Sequence, residues 1–70
     1  MKLETHKNRT TYTIYANYEK GQVKMIYNRR NKNWTVQRLE STKSVEYQVV
    51  KTSFMAKKYF RIFWNNTTKV

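Results

Sequence analysis

Ser53-Phe54-Met55-Ala56-Lys57-Lys58-Tyr59-Phe60-Arg61-Ile62-Phe63-Trp64 is the stretch that separates an α+β chain from an all-β one. Its second half, Tyr59 to Trp64, is rich in strand formers, yet no Gly or Pro turn precedes it. Helical spacing accounts for more of it. At about 100° per residue, Met55, Ala56, Tyr59, Phe60, Ile62, Phe63 and Trp64 fill one broad arc, while Lys57, Lys58 and Arg61 gather opposite. Thr52 or Ser53 supplies an N-cap, and Asn65 or Asn66 tolerates the left-handed conformation that ends many helices. A C-terminal helix is therefore expected; a fifth strand, making the chain all-β, is the alternative.

Working back from that helix, the chain alternates with a period of two. Tyr12, Ile14, Ala16 and Tyr18 alternate with Thr11, Thr13, Tyr15 and Asn17, which predicts a strand starting near Thr11. Glu19-Lys20-Gly21-Gln22 holds the only Gly, expected to take a positive φ in a tight turn before Val23, Met25 and Tyr27 resume the alternation. The Asn-rich turn Asn28 to Asn33 leads to a strand carrying Trp34, Val36 and Leu39. Glu40 to Ser44 is the next polar turn, followed by Val45, Tyr47 and Val49. The prediction is a four-stranded antiparallel meander with the helix on one face. That face carries Tyr12, Ile14, Val23, Met25, Trp34, Val36, Tyr47 and Val49. Residues 1–10 read as a basic flexible arm, 11–66 as a single β-rich domain and 67–70 as a tail.

A chain of 70 residues buries only about 60 to 65% of its unfolded surface. Without Cys it has no disulfide to help, and one His with four Glu and no Asp makes a poor zinc ligand set, so no metal or other cofactor is expected. Burial of the aromatic residues, 16% of the chain, or assembly into a homodimer remains. No apolar run is long enough to span a membrane, and the polar start Met1 to Tyr12 lacks a signal-peptide core, so a cytoplasmic location away from membranes is expected. Abundant Asn, Lys, Tyr and Ile matches AT-rich coding, as in a low-GC bacterium or a mobile element such as a phage.

Catalytic signatures are absent. There is no Gly-rich phosphate loop and no Cys, the single His6 falls in the arm, and Glu4, Glu19, Glu40 and Glu46 read as scattered solvated charges. The expected activity is binding without catalysis. Fifteen Lys and Arg against four acids give a net charge of +11, well beyond what solubility requires, and nucleic acid is the commonest reason for such an imbalance. An acidic partner protein, docked on or blocked by this chain, is the alternative partner.

The residues expected to meet nucleic acid begin with Arg29, Arg30 and Lys32, in the turn before Trp34. A short turn on a rigid hairpin can present guanidinium groups to phosphates or base edges. Lys24 and Tyr15 lie in the polar phase of their strands, where Tyr15 is free to stack on a base. Lys57, Lys58 and Arg61 form the cationic side of the helix. The same turn, Arg29-Arg30 with Trp34, then a strand and Thr52-Ser53-Phe54-Met55-Ala56 with Tyr59, resembles the three-stranded-sheet-plus-helix plan of integrase arm-binding domains. The resemblance spans Val23 to Trp64 in pattern, without the glycines that precede the helix in that family, and implies a sheet laid in a DNA major groove.

Overall fold

The computed structural model describes residues 2–68. It is an α+β fold with strands β1 (Glu4–Lys7), β2 (Thr11–Tyr18), β3 (Gly21–Asn28), β4 (Asn33–Glu40) and β5 (Lys43–Val50), followed by helix α1 (Ser53–Asn66). The strands form one antiparallel sheet in the order β1-β2-β3-β4-β5.

The helix and the three central strands follow the sequence expectation. The sheet, however, has five strands rather than four, and its first strand comes from the segment read as an arm. Glu4-Thr5-His6-Lys7 pairs with Tyr15, Ile14, Thr13 and Tyr12 of β2. The turn before β2 is held by Asn8, whose Oδ1 accepts hydrogen bonds from the backbone N–H of Thr10 at 2.9 Å and of Thr11 at 2.8 Å. Of the tail, Thr67 and Thr68 close the helix, and the remainder lies outside the described residues. No cis peptide bond or positive-φ Gly occurs among the described residues. The residues that take the left-handed conformation are Lys32, at φ 55°, and Ser41, at φ 57°.

Gly21 is thus needed for a different reason from the one its sequence suggests. A Cβ built on it meets the Leu39 carbonyl oxygen at 1.9 Å and the Leu39 carbonyl carbon at 2.8 Å. The β4–β5 pairing slips between Arg38 and Leu39, a β-bulge. The Leu39 carbonyl accepts the Tyr18 hydroxyl at 3.0 Å, across the space a side chain on residue 21 would fill.

The helix packs on β3, β4 and β5. Ala16, Val23, Met25 and Val36 from the sheet meet Ala56, Phe60 and Phe63 from the helix, with Ile14, Tyr18, Trp34, Val50, Tyr59 and Trp64 around them. Cross-strand partners Ile14, Met25 and Val36 line up on this face. In β5 the expected phase is inverted. Val50 pairs with Trp34 and packs on the core, whereas Tyr47 and Val49 lie on the other face, 60% and 44% exposed. The cause is Arg38, which shares the helix side with Val36 and draws Glu46 there with it.

Arg38 is the centre of the one ion cluster among the described residues. Its Nε donates to Glu46, its Nη1 lies 2.9 Å from Glu40 Oε2, and the second Glu46 oxygen accepts from Asn66 of the helix at 2.8 Å. Burial opposes the Arg38 charge, but hydrogen bonds to Glu46 and Tyr18 outweigh it and raise its pKa above the ordinary arginine value. Glu40 and Glu46 are therefore structural rather than simply solvated.

Thr52 caps the helix, its Oγ1 accepting from Met55 N–H at 3.2 Å. Thr52→Ala is expected to cost about 1 kcal/mol in chemical denaturation. The C-terminal end is not left-handed at Asn65 or Asn66: Thr67 stays right-handed at φ −67°, and its N–H bonds back to Trp64 and Asn65 carbonyls. Ile62, placed in the buried arc by spacing, is 41% exposed; the contact surface is narrower and centres on Ala56, Phe60 and Phe63.

Candidate nucleic-acid interface

In an antiparallel meander, alternate turns fall at the same end of the sheet. One end here holds the β1–β2 turn with Arg9, the β3–β4 turn with Arg29, Arg30 and Lys32, and the β5–α1 junction with Lys51. The first two are tied directly, the Arg29 N–H donating to the Thr10 carbonyl at 2.9 Å. The third adjoins because Val50 pairs with Trp34. Lys7, at the end of β1, adds its ammonium 5.3 Å from the centre of the Tyr12 ring.

Both turns are pre-formed. Asn28 Oδ1 accepts from the N–H groups of Arg30 and Asn31, each at 3.0 Å, and the Lys32 N–H bonds to the Asn28 carbonyl at 2.8 Å. Asn8 does the same for its turn. Arg9, Arg29, Arg30 and Lys32 are exposed on these pinned loops, so little backbone ordering is needed when they meet a charged ligand.

The four glutamates all lie in the other half. Glu19 and Glu40 flank the far turns, which are joined by a hydrogen bond from Ser41 N–H to the Lys20 carbonyl at 3.0 Å. Glu46 pairs with Arg38, and Glu4 stands opposite Tyr15, past the midline of β2. An eight-residue strand is about 26 Å long, more than two Debye lengths at physiological salt, about 8 Å each. Glu19 and Glu40, at the far turns, therefore do not neutralise the cationic end.

The residues chosen from sequence divide among three surfaces. Arg29, Arg30 and Lys32 sit at the cationic end, joined by Arg9, Lys7 and Lys51, which the sequence reading did not select. Tyr15 and Lys24 are direct cross-strand partners on the uncovered face of the sheet. Lys57, Lys58 and Arg61 are exposed on the outer side of the helix, behind the sheet from Tyr15. There they border two shallow apolar grooves, one floored by Leu3, Ile14, Met25 and Phe60 and the other by Phe54 and Ile62. Trp34, next to the cationic turn, is occupied with Tyr27, ring centres 5.1 Å apart.

Among the described residues no three His, Asp or Glu side chains converge as a metal site, and no helix is long and apolar enough to cross a membrane. No family model, no curated protein and no solved structure matches the chain.

Proposed function

We propose that the chain is a non-catalytic nucleic-acid-binding protein that meets phosphates with the cationic end of its sheet. The observation that carries this reading is the segregation of charge. Arg9, Arg29, Arg30, Lys32 and Lys51 are gathered by the topology at one end, with every Glu in the opposite half. Each phosphate they neutralise releases condensed counterions, so affinity is coupled to salt.

With about six phosphates engaged, affinity for DNA or RNA is expected to fall about a thousandfold between 50 and 200 mM salt. Replacing Arg29, Arg30 and Lys32 together with Ala removes up to three of these contacts and flattens the log–log salt slope by about 2 to 3. Lys20→Ala with Lys43→Ala, at the far end, leaves the slope unchanged. Fluorescence anisotropy at several salt concentrations checks this; equal slopes for the two sets of variants overturn it.

A second reading has its own support. Phe54, 76% exposed, and Ile62 stand beside Lys57, Lys58 and Arg61 on the outer helix face, a combination suited to an acidic, amphipathic protein segment. A partner retained from nuclease-treated lysate by the native chain and lost with Phe54→Ala and Lys58→Glu favours that reading.

A further inference from the structure

Among the described residues nothing covers the face of the sheet turned away from the helix, yet that face is not simply polar. Register places Tyr15 beside Lys24, Lys24 beside Gln37 and Gln37 beside Tyr47, one straight row across four strands. Tyr47 at its end is 60% exposed. The neighbouring row runs Thr13, Ile26, Thr35 and Val49, with Val49 at its end on β5. Two tyrosine rings on one face of the sheet, Tyr15 half-buried and Tyr47 exposed, with an amide and an ammonium between them, form a platform with apolar faces and polar edges.

We propose that this face is a stacking platform for single-stranded nucleic acid, with Tyr15 and Tyr47 as its two base-stacking rings; this rests on the polyanion-binding reading above. Tyrosines standing on a sheet can stack only on base faces, and in a duplex those faces are stacked on each other. Three strand spacings put the two rings about 14 Å apart, against about 3.4 Å between successive bases of a duplex strand. Bases seated on both rings are therefore splayed, with intervening ones over Lys24 and Gln37, whose donors and acceptor meet base edges.

Width argues the same way. Five strands span about 19 Å, and the major groove is about 12 Å wide, so the whole five-stranded sheet does not enter it face-on. The charge is complementary to a nucleic-acid strand. The platform runs at one margin into the Arg9 and Arg29–Lys32 turns, and among the described residues its one carboxylate is Glu4 on the edge strand, the cross-strand neighbour of Tyr15, which Asn17 Nδ2 approaches at 3.4 Å. Bases on the rings leave phosphates within reach of that cationic margin.

The test titrates the full chain with a labelled thymidine oligonucleotide and with a mixed duplex of equal length. Tyr15→Ala and Tyr47→Ala are each expected to weaken oligothymidine binding about tenfold or more while leaving duplex binding nearly unchanged, and Tyr47→Phe to retain it. Circular dichroism should show both variants folded, since Tyr47 is exposed and Tyr15, half-buried, lies outside the core cluster. Equal losses on both probes, or none on either, overturn the platform and leave the cationic end intact. Native chain that binds neither probe overturns both readings. A Tyr47→Ala change that instead converts a dimer to a monomer in sedimentation shows the face to be covered by a second copy, and also overturns the proposal.

Discussion

Gly21→Ala is expected to remove about 3 kcal/mol or more of stability, a large share of what a domain of this size has. Overpacking a close contact costs about 1 to 3 kcal/mol, occasionally more, and this one is unusually close. The added methyl would meet the Leu39 carbonyl oxygen at 1.9 Å, and its other near neighbours, Leu39 C at 2.8 Å and Glu40 Cα at 3.1 Å, are also backbone. No side chain can swing away. Relief requires β4 to move where it faces the β5 bulge, which breaks the Tyr18 hydroxyl bond to Leu39 and disturbs the edge-to-face contact of Tyr18 with Trp64, centres 6.3 Å apart. A domain of 70 residues has only about 3.5 to 10 kcal/mol in total. Urea denaturation checks this, and an unchanged midpoint would show that β4 does not press on Gly21 in solution.

Phe60→Ala should be about as severe, with a loss of about 3 to 5 kcal/mol, the range for deleting a buried phenyl ring. Phe60 is 5% exposed and sits where the helix meets Met25 and Val36. Phe54, two turns earlier on the same helix, is 76% exposed, and Phe54→Ala should change stability by less than about 0.5 kcal/mol. The pair isolates burial from residue type. Thermal unfolding of the two variants should differ widely; similar melting temperatures would mean that the helix is not seated on its Phe60 face.

The helix and strands β2 to β4 were legible because each carries a strong local period, 3.6 for Ala56, Phe60 and Phe63, and 2 for Ile14, Val23, Met25 and Val36. β1 was not, because Glu4-Thr5-His6-Lys7 has no apolar residue and is largely exposed; it is held by backbone pairing to β2 and the Asn8 turn rather than by burial. β5 was misread in phase because Val45, Tyr47 and Val49 alternate more convincingly than Glu46, Gln48 and Val50. The deciding facts are non-local: the Arg38–Glu46 ion pair and the bulge that accommodates it.

The candidate interface divides in the same way. Arg29, Arg30 and Lys32 are contiguous, so the sequence reading found them. Arg9 and Lys51 join them only through the antiparallel course of the chain, and recognising β1 was the missing step. Tyr47 shares the apolar phase of Val45 and Val49 in sequence, so local alternation alone conceals the second ring of the uncovered face.

The strand order has a kinetic consequence. Each strand pairs only with its neighbours in the chain, through turns that close loops of a few residues, so the entropic cost of each pairing is small. The chain also has no Pro, and therefore no prolyl isomerisation to hold refolding back for tens of seconds. Assembly can proceed hairpin by hairpin from either edge, each new strand finding its partner already beside it in the chain.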